Sequence, residues 1–402
     1  METEGLGGNA DTFLRLEGKG GDCEMRTAAI RFIQSRGTVG YLLIAAVLFS
    51  APLFISDFRL NLLAKFLSFA ILAIGLDLIW GYTGILSLGQ GVFFGLGAYC
   101  MAMHLKLAST NGALPDFMSW SGLSELPWFL EPFHSFPAAV LLGLLLPAAL
   151  AMLLGYVTFR SRIRGVYFSI LTQALVLITV TLFVGQQAYT GGTNGVTGFR
   201  EIFGYSLSNP DVQMVLYWIT AAVLIVVFLF AKWLVGTRFA RALQAIRDGE
   251  NRLRFIGYNP DIYKMAVFAL SAAFAGLAGM LFVLHVGIIS PSMMGIVPSI
   301  EMVLWVAIGG RGTLIGAVIG AILINAAKTG FSEAYPDGWL YFLGALFVIA
   351  VVFLPSGIMG VRDKLMALVQ RRSERNTKQL AEKGGESIGA NGMDSVLRET
   401  NR

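Results

Sequence analysis

Charge is what this sequence has least of. Asp, Glu, Lys and Arg make up 14% of its 402 residues, where ordinary soluble domains carry about 25%. So little charge cannot clothe a water-soluble globule of this size. Histidine and cysteine are scarce too, with 3 and 2 copies. His104, His134 and His285 are scattered, while Cys23 and Cys100 fall in a polar tail and an apolar run, so no disulfide framework and no metal-ligand spacing is present. The patterns G-x-x-x-x-G-K-[ST], H-E-x-x-H and G-x-S-x-G are all missing. These absences argue against an enzyme: no catalytic residue, metal or cofactor is expected. Residues 1–24 are polar, Gly-rich and acidic, which argues against a cleavable signal peptide.

What the chain does have is apolar length. Hydrophobic residues make up 55% of it, with 47 glycines and a mean hydropathy of +0.68. Many runs approach the roughly 20 residues that cross a bilayer, and the glycines suit close helix packing in lipid. The net charge of +5 is spread over alternate loops, as membrane topology requires, and does not suggest nucleic acid. The expected fold is an all-α polytopic membrane protein with about ten transmembrane helices, N-in and C-in. Eight remain possible if two Gly-interrupted pairs are re-entrant.

The expected spans are residues 39–55, 60–80, 92–107, 138–159, 166–184, 212–234, 265–286, 299–308, 313–326 and 338–354. Arg26, Arg31 and Arg36 mark a cytosolic entry to the first. The loop 108–136 has acidic residues, no Lys or Arg, and Trp120 and Trp128, so it belongs outside. Residues 1–36 read as a disordered cytosolic tail, 37–360 as the membrane domain, and 361–402 as a basic cytosolic tail.

A charged stretch between two apolar spans, residues 236–264, organises the rest. Phe239, Ala242, Leu243 and Ile246 recur at helical spacing, with Arg241, Gln244, Arg247 and Asp248 off that stripe. Asp248-Gly249 predicts a bend, Glu250 and Arg254 an i,i+4 pair, Gly257 a helix end, and Asn259-Pro260 the cap of the next span. An amphipathic helical hairpin of this kind either docks a soluble partner or lies on the lipid surface as a positive-inside loop.

Two further stretches break the apolar pattern, 80–97 and 297–321. Irregular backbone at membrane depth is tolerated only where protein or a water-filled cavity surrounds it. In the first, Gly81, Gly84, Gly89 and Gly91 free backbone groups, and Tyr82, Thr83, Ser87 and Gln90 offer partners. The stretch either contacts a solute or is a packing motif. Asp77 and Glu301 are carboxylates in apolar runs, costing about 2.5–3.5 kcal/mol each on insertion scales. Asp77 is expected to hold the nearby amides of residues 81–84, while Arg311 is a conceivable partner for Glu301. His104 and His285 are expected at the interface, and Asn325, Thr179 and Thr181 as helix glue.

At these motifs a resemblance appears. GYTGILSLGQGVFFGLGAY resembles the G-Y-x-G-x-L-S-L-G-H/Q-x-x-F-F-x-x-G-A-Y stretch of the LivM-like permeases, the membrane subunits of branched-chain amino acid type ABC importers. GGRGTLIGAVIGA is similar to their G-G-x-G-T-x-x-G-x-x-x-G-A stretch. The likeness covers about residues 39–360. Within the family, IRDGENRLRFIGYNPDIYK, VPSIEMVLWVAIGGRGTLIGA and PDGWLYFLGALFVIAVVFLP resemble the urea branch. Gln90 stands where a histidine is common, and nothing before Arg26 has a counterpart, so Met25 is an alternative start.

The resemblance implies a bacterial inner-membrane permease subunit that moves urea. It implies a second related permease subunit, two cytosolic ATPase subunits that hydrolyse the ATP, and a periplasmic solute-binding protein. It gives the 236–264 loop an ATPase-docking role, carried by Arg241, Arg247, Asp248, Glu250, Arg254 and Gly257. Asp77, Tyr82, Thr83, Ser87, Gln90 and Glu301 become candidates for the translocation pathway. Branched-chain amino acids or short amides are the alternative cargo, and a self-sufficient channel or carrier the alternative device.

Overall fold

The structure, a computed structural model, describes residues 48–335 other than 111, 112, 164 and 200, and then 338, 341, 342, 344–348 and 357–360. It divides into two units, residues 1–60 and 61–402. The described part of the first holds a short 3-10 turn, Ala51–Leu53, and the first residues of α1 (Asp57–Thr83), which runs on into the second.

The second unit continues with α2 (Gln90–Ser109), α3 (Phe136–Arg160), α4 (Val166–Gly185), α5 (Pro210–Val235), α6 (Arg238–Phe255), α7 (Pro260–Val286), α8 (Ile296–Gly309) and α9 (Leu314–Ala334). Among the described residues, seven helices are long and apolar enough to cross a membrane: α1 to α5, α7 and α9. With the shorter apolar helix α8, eight of the ten expected spans correspond to helices. The other two, 39–55 and 338–354, lie largely outside the described residues, as do both tails. The all-α class holds apart from a two-residue hairpin, β1 (Glu201–Ile202) with β2 (Tyr205–Ser206), and a bridge between Val196 and Ile289.

Local signals set the helix ends. Asn209 and Asn259 each accept the amide two residues on through Oδ1, at 3.1 and 3.2 Å, with proline at the first helical position of α5 and α7. Such caps satisfy amides that the helix leaves without partners.

Burial separates an inner set from an outer ring. The apolar windows of α1, α2 and α7 are 78%, 89% and 78% buried, while those of α3, α4 and α5 are 28%, 28% and 39%. Leu141, Leu153, Ile170, Ile178 and Leu229 are exposed on the outer helices, as side chains that meet lipid should be. Inside, α7 packs along both α2 and α3. Gly97 faces Gly276 so closely that a Cβ on Gly97 would overlap the Gly276 backbone, the small-residue contact that membrane helices use.

One of two paired expectations changes, that 299–308 and 313–326 are each short for a full crossing. The stretch 313–326 reads as too short for a crossing, yet α9 runs 21 residues to Ala334. Its apolar run ends near Asn325, but the helix continues through Lys328, Thr329 and Glu333, which hydropathy does not credit. By contrast α8, with 14 residues, spans about 21 Å against a hydrocarbon core of about 30 Å. It is too short to cross by itself and is preceded by a 3-10 turn, Pro291–Met294.

Candidate functional site

The charged loop forms the expected bent helix. Gly249 leaves helical geometry inside α6, separating residues 238–248 from 250–255. Ala240, Leu243, Ile246 and Leu253 are buried, while Arg238, Arg241, Arg252, Phe255 and Ile256 are exposed. The inward face is therefore turned slightly from the expected stripe, with Phe239 and Ala242 only half-buried. Gly257 closes the segment at φ +89°.

Four charges tie the short second half of α6 to the start of α7. Glu250 Oε1 accepts from Arg254 Nη2 at 3.0 Å and from Lys264 Nζ at 2.7 Å. Asp261 Oδ1 accepts from Arg254 Nη2 at 2.7 Å and lies 3.9 Å from Lys264 Nζ. The Lys264 side chain is 4% exposed and sits 5.5 Å from the Phe159 ring centroid at the end of α3. Desolvation works against the Arg254 charge, but hydrogen bonds and charge from Glu250 and Asp261 outweigh it and raise the guanidinium pKa above its usual value. Glu250 and Arg254 thus hold the loop's shape, whereas Arg241 is exposed and Arg247 and Asp248 are 45% and 70% exposed.

Arg247 also reaches inward. Its Nη1 donates to the Gly81 carbonyl at 2.8 Å, and its methylenes lie along Gly84, which needs glycine for its φ of +75°. At the same place the 310–312 turn meets the end of α1. The Gly312 amide donates to Asp77 Oδ1 at 2.6 Å, and the Tyr82 hydroxyl donates to the Gly312 carbonyl at 3.3 Å. A Cβ on Gly81 would lie 2.7 Å from Gly312 Cα, so this contact requires glycine. Asp77 does hold a backbone amide, but the amide comes from the second Gly-rich stretch and not from residues 81–84. Its Oδ2 is buried with no partner among the described residues.

The rest of the first Gly-rich stretch finds partners on α4, on α7 and within itself. Ser169 Oγ donates to the Leu86 carbonyl at 2.7 Å, and the Leu88 amide donates to Thr172 Oγ1 at 3.0 Å, both from α4. Thr83 Oγ1 donates to the Ile79 carbonyl at 2.5 Å, and Ser87 Oγ accepts the Gly89 amide at 3.4 Å. Gln90 Nε2 donates to Ser271 Oγ at 3.1 Å, and Oε1 finds no partner among the described residues.

Glu301 belongs to a different cluster. Lys328 Nζ donates to its two carboxylate oxygens at 3.0 and 2.8 Å, while Arg311 is exposed. The expected partner is therefore replaced: α9 extends far enough to bring Lys328 beside α8, and Arg311 stays in the turn between them. The pair lines a cavity of about 190 Å³, together with Lys65, Asn325 and Thr329. Lys65, Lys264 and Lys328 escaped the sequence reading. The signal was available for Lys65, an ammonium inside an apolar run by the same criterion that selects Asp77. The histidines also differ from expectation. His104 Nδ1 lies 2.8 Å from the Phe133 carbonyl, and His285 Nε2 lies 2.8 Å from Thr220 Oγ1. Both are buried, because neighbouring elements cover the span ends.

Among the described residues no cluster of His, Cys, Asp or Glu could hold a metal. Comparison with known proteins gives a consistent relationship. The family described as "Branched-chain amino acid transport system / permease component" matches residues 58–351. The chain is 26% identical over 330 residues to the high-affinity branched-chain amino acid transport system permease protein LivM of Escherichia coli, covering 77% of this chain and 71% of that one. It is 21% identical over 301 residues to BraD, the corresponding permease protein of Pseudomonas aeruginosa, covering 73% and 92%. It is 24% identical over 325 residues to a probable LivM of Methanocaldococcus jannaschii, covering 72% and 89%. No solved structure matches the chain. By its apolar helices, its charged loop and a match over most of its length, the chain belongs to the LivM-like permease components of ABC transporters, multi-pass proteins of the inner membrane.

Proposed function

We propose that the chain is one permease subunit of an ATP-driven importer, that its 236–264 loop receives a cytosolic ATPase subunit, and that its cargo is urea. A second related permease subunit, a second ATPase and a periplasmic binding protein complete the machine. Residues 37–360 form the permease domain, with residues 1–36 and 361–402 as cytosolic tails.

The observation that carries the docking role is the hydrogen bond from Arg247 Nη1 to the Gly81 carbonyl at 2.8 Å. It links an exposed amphipathic helix directly to the end of a buried span. ATP binding closes the ATPase pair and displaces α6. Arg247 pulls on the end of α1, and the Asp77–Gly312 and Tyr82–Gly312 bonds pass the motion to α8 and α9. Gly257 and the Glu250–Arg254 pair keep the loop stiff enough to transmit it, and Arg241, Arg247 and Asp248 meet the partner. The bundle then changes the side to which it opens. Tyr82, Thr83, Ser87, Gln90, Asp77 and Glu301 lie along the proposed route.

The cargo assignment rests on the motif resemblance to the urea branch. The names of the relatives favour a second reading, branched-chain amino acids. Uptake of labelled urea at low micromolar concentration separates them, in cells lacking this chain and in complemented cells, with excess unlabelled leucine as competitor. Energy-dependent urea uptake that needs the chain and ignores leucine is the expected result. Leucine uptake that needs the chain, with urea uptake unchanged, would move the assignment to amino acids.

A further inference from the structure

We propose that the cavity beside Glu301 is a solute site for a small neutral amide, which hydrogen-bonds the Glu301–Lys328 pair and the Trp305 indole N–H. This rests on the importer reading above and adds to it the residues and the ligand chemistry.

The cavity measures about 190 Å³, larger than the roughly 150 Å³ cavity that admits benzene. Its walls combine flat rings with a compact polar end. Trp305 packs at a tilt on Phe69 with centroids 4.8 Å apart, and Phe69 continues to Phe282 and Phe94 at 5.4 and 6.0 Å. The ring planes are tilted by 34°, 29° and 45° to one another, and a flat solute can lie against such an aromatic wall.

The polar end is costly as a purely structural device. A buried ion pair is weak evidence for stability, because desolvating both ions offsets most of their attraction. Ionisable groups kept inside a membrane domain point to function. Here the Glu301 side chain is 6% exposed and the Lys328 side chain 33%, so the carboxylate lies deep and the ammonium sits nearer the opening. Their charges cancel, so among the described lining residues the net charge is that of Lys65. After Lys328 the carboxylate still has acceptor capacity. Asn325 Nδ2 donates to the Ala321 carbonyl at 2.8 Å, which leaves Oδ1 as a further acceptor.

Trp305 supplies the independent observation. The residue is 2% exposed, it lines the cavity, and its Nε1 has no hydrogen-bond partner among the described residues. Buried donors without partners are rare and call for an explanation. A solute carbonyl would satisfy this one. A planar amide with several N–H donors and one carbonyl fits the set: carboxylate and Asn325 oxygens for its N–H groups, the indole N–H for its oxygen.

Lys65 allows the competing chemistry to be tested. Its Nζ lies 6.0 and 5.8 Å from the ring centroids of Phe69 and Phe282 and makes no ion pair among the described residues. A solute carboxylate would be drawn to this ammonium, and a neutral amide has no need of it.

The test uses cells that lack this chain but keep its partner subunits. They are complemented with the wild type, W305F, K65M or the paired variant E301Q/K328Q, and membrane abundance is measured alongside labelled urea uptake. Loss of one neutral hydrogen bond predicts about a tenfold rise in the half-saturation concentration for W305F. W305F should also narrow the preference for urea over thiourea, whose sulfur is a poorer acceptor, an effect that looser packing would not produce. K65M should shift urea half-saturation less than W305F does and should leave uptake insensitive to leucine. If E301Q/K328Q reaches the membrane, it should lose most urea uptake; if it does not, W305F decides alone. Wild-type half-saturation and thiourea discrimination in W305F would overturn the site, leaving the importer reading intact. Loss of uptake in K65M together with competition by leucine would overturn the neutral-amide chemistry. Failure of the wild type to restore any urea uptake would overturn the cargo reading, and the proposal with it.

Discussion

Replacing Glu250 by Gln tests whether the 236–264 loop is held rigid from within. Glu250 Oε1 accepts from Lys264 at 2.7 Å and Arg254 at 3.0 Å, and the two carboxylate-facing side chains are 4% and 28% exposed. Gln keeps an acceptor but loses the charge, leaving Lys264 with Asp261 at 3.9 Å. The partly exposed Arg254 contact is worth only about 0.3–0.5 kcal/mol, whereas the buried, charge-assisted Lys264 bond is worth about 1.5–3 kcal/mol. Together they put the cost at about 2 kcal/mol. That cost falls on local opening of residues 250–258, not on the whole bundle. Amide hydrogen exchange of the purified protein reads it directly. At 1.4 kcal/mol per tenfold, amides of 250–258 should exchange about thirty times faster, with those of α2 and α7 unchanged. Adding K264M to E250Q removes the stranded ammonium and should recover part of the protection, since neighbouring sites couple. Exchange at 250–258 equal to wild type in E250Q would refute the reasoning.

Arg247→Ala removes the bond to the Gly81 carbonyl from a side chain that is 45% exposed. Membrane abundance should hold, while on the proposed function the cargo moved per ATP hydrolysed by the reconstituted assembly falls severalfold; an unchanged ratio would count against transmission through this contact. Gly81→Ala pushes a Cβ to within 2.7 Å of Gly312 Cα and should sharply lower the thermal midpoint. Gly122→Ala is the control: its φ is +83° but nothing lies within 4 Å, so only backbone strain of about 1–2 kcal/mol applies, and equal losses for both would show that crowding at Gly81 is not the cause. Lys328→Met strands Glu301 and should cost about 3–5 kcal/mol, read as lost membrane abundance. Pairing it with Glu301→Leu should restore abundance, and a double variant no more abundant than the single would reject the pairing. Cys100, 5% exposed, should react with a maleimide in a Cys23→Ser background only after denaturation, and rapid labelling of the native protein would contradict its burial.

Much of the fold was legible because membrane helices advertise themselves. Eight of the expected spans correspond to helices, since an apolar run in lipid has to satisfy its backbone internally. The caps at Asn209 and Asn259, the bend at Gly249 and the Glu250–Arg254 pair are local, so spacing of a few residues was enough to read them. The extent of α9 was not legible. Lys328 and Glu333 look like a span's end until the helix is seen to carry them past it.

Partners at long range stayed hidden for a different reason. Asp77 and Glu301 were marked by the cost of a carboxylate in an apolar run, but that cost demands a partner without naming one. Asp77 takes the amide of Gly312, 235 positions away, and Glu301 takes Lys328 from the next helix. Nothing in spacing distinguishes Lys328 from Arg311; only the angle at which α9 returns along α8 brings one close and leaves the other exposed.

The amino-acid sequence by itself determined that this is a helical membrane protein, where its spans run, which loops carry the arginines, and to which family its Gly-rich motifs belong. Those properties follow from composition, short-range periodicity and local backbone chemistry. Tertiary structure alone decided which buried charges meet, that α6 touches the end of α1, and that one ion pair lines a ring-walled cavity. Such contacts depend on how separate helices pack, and packing is settled by the shape of every facing surface together.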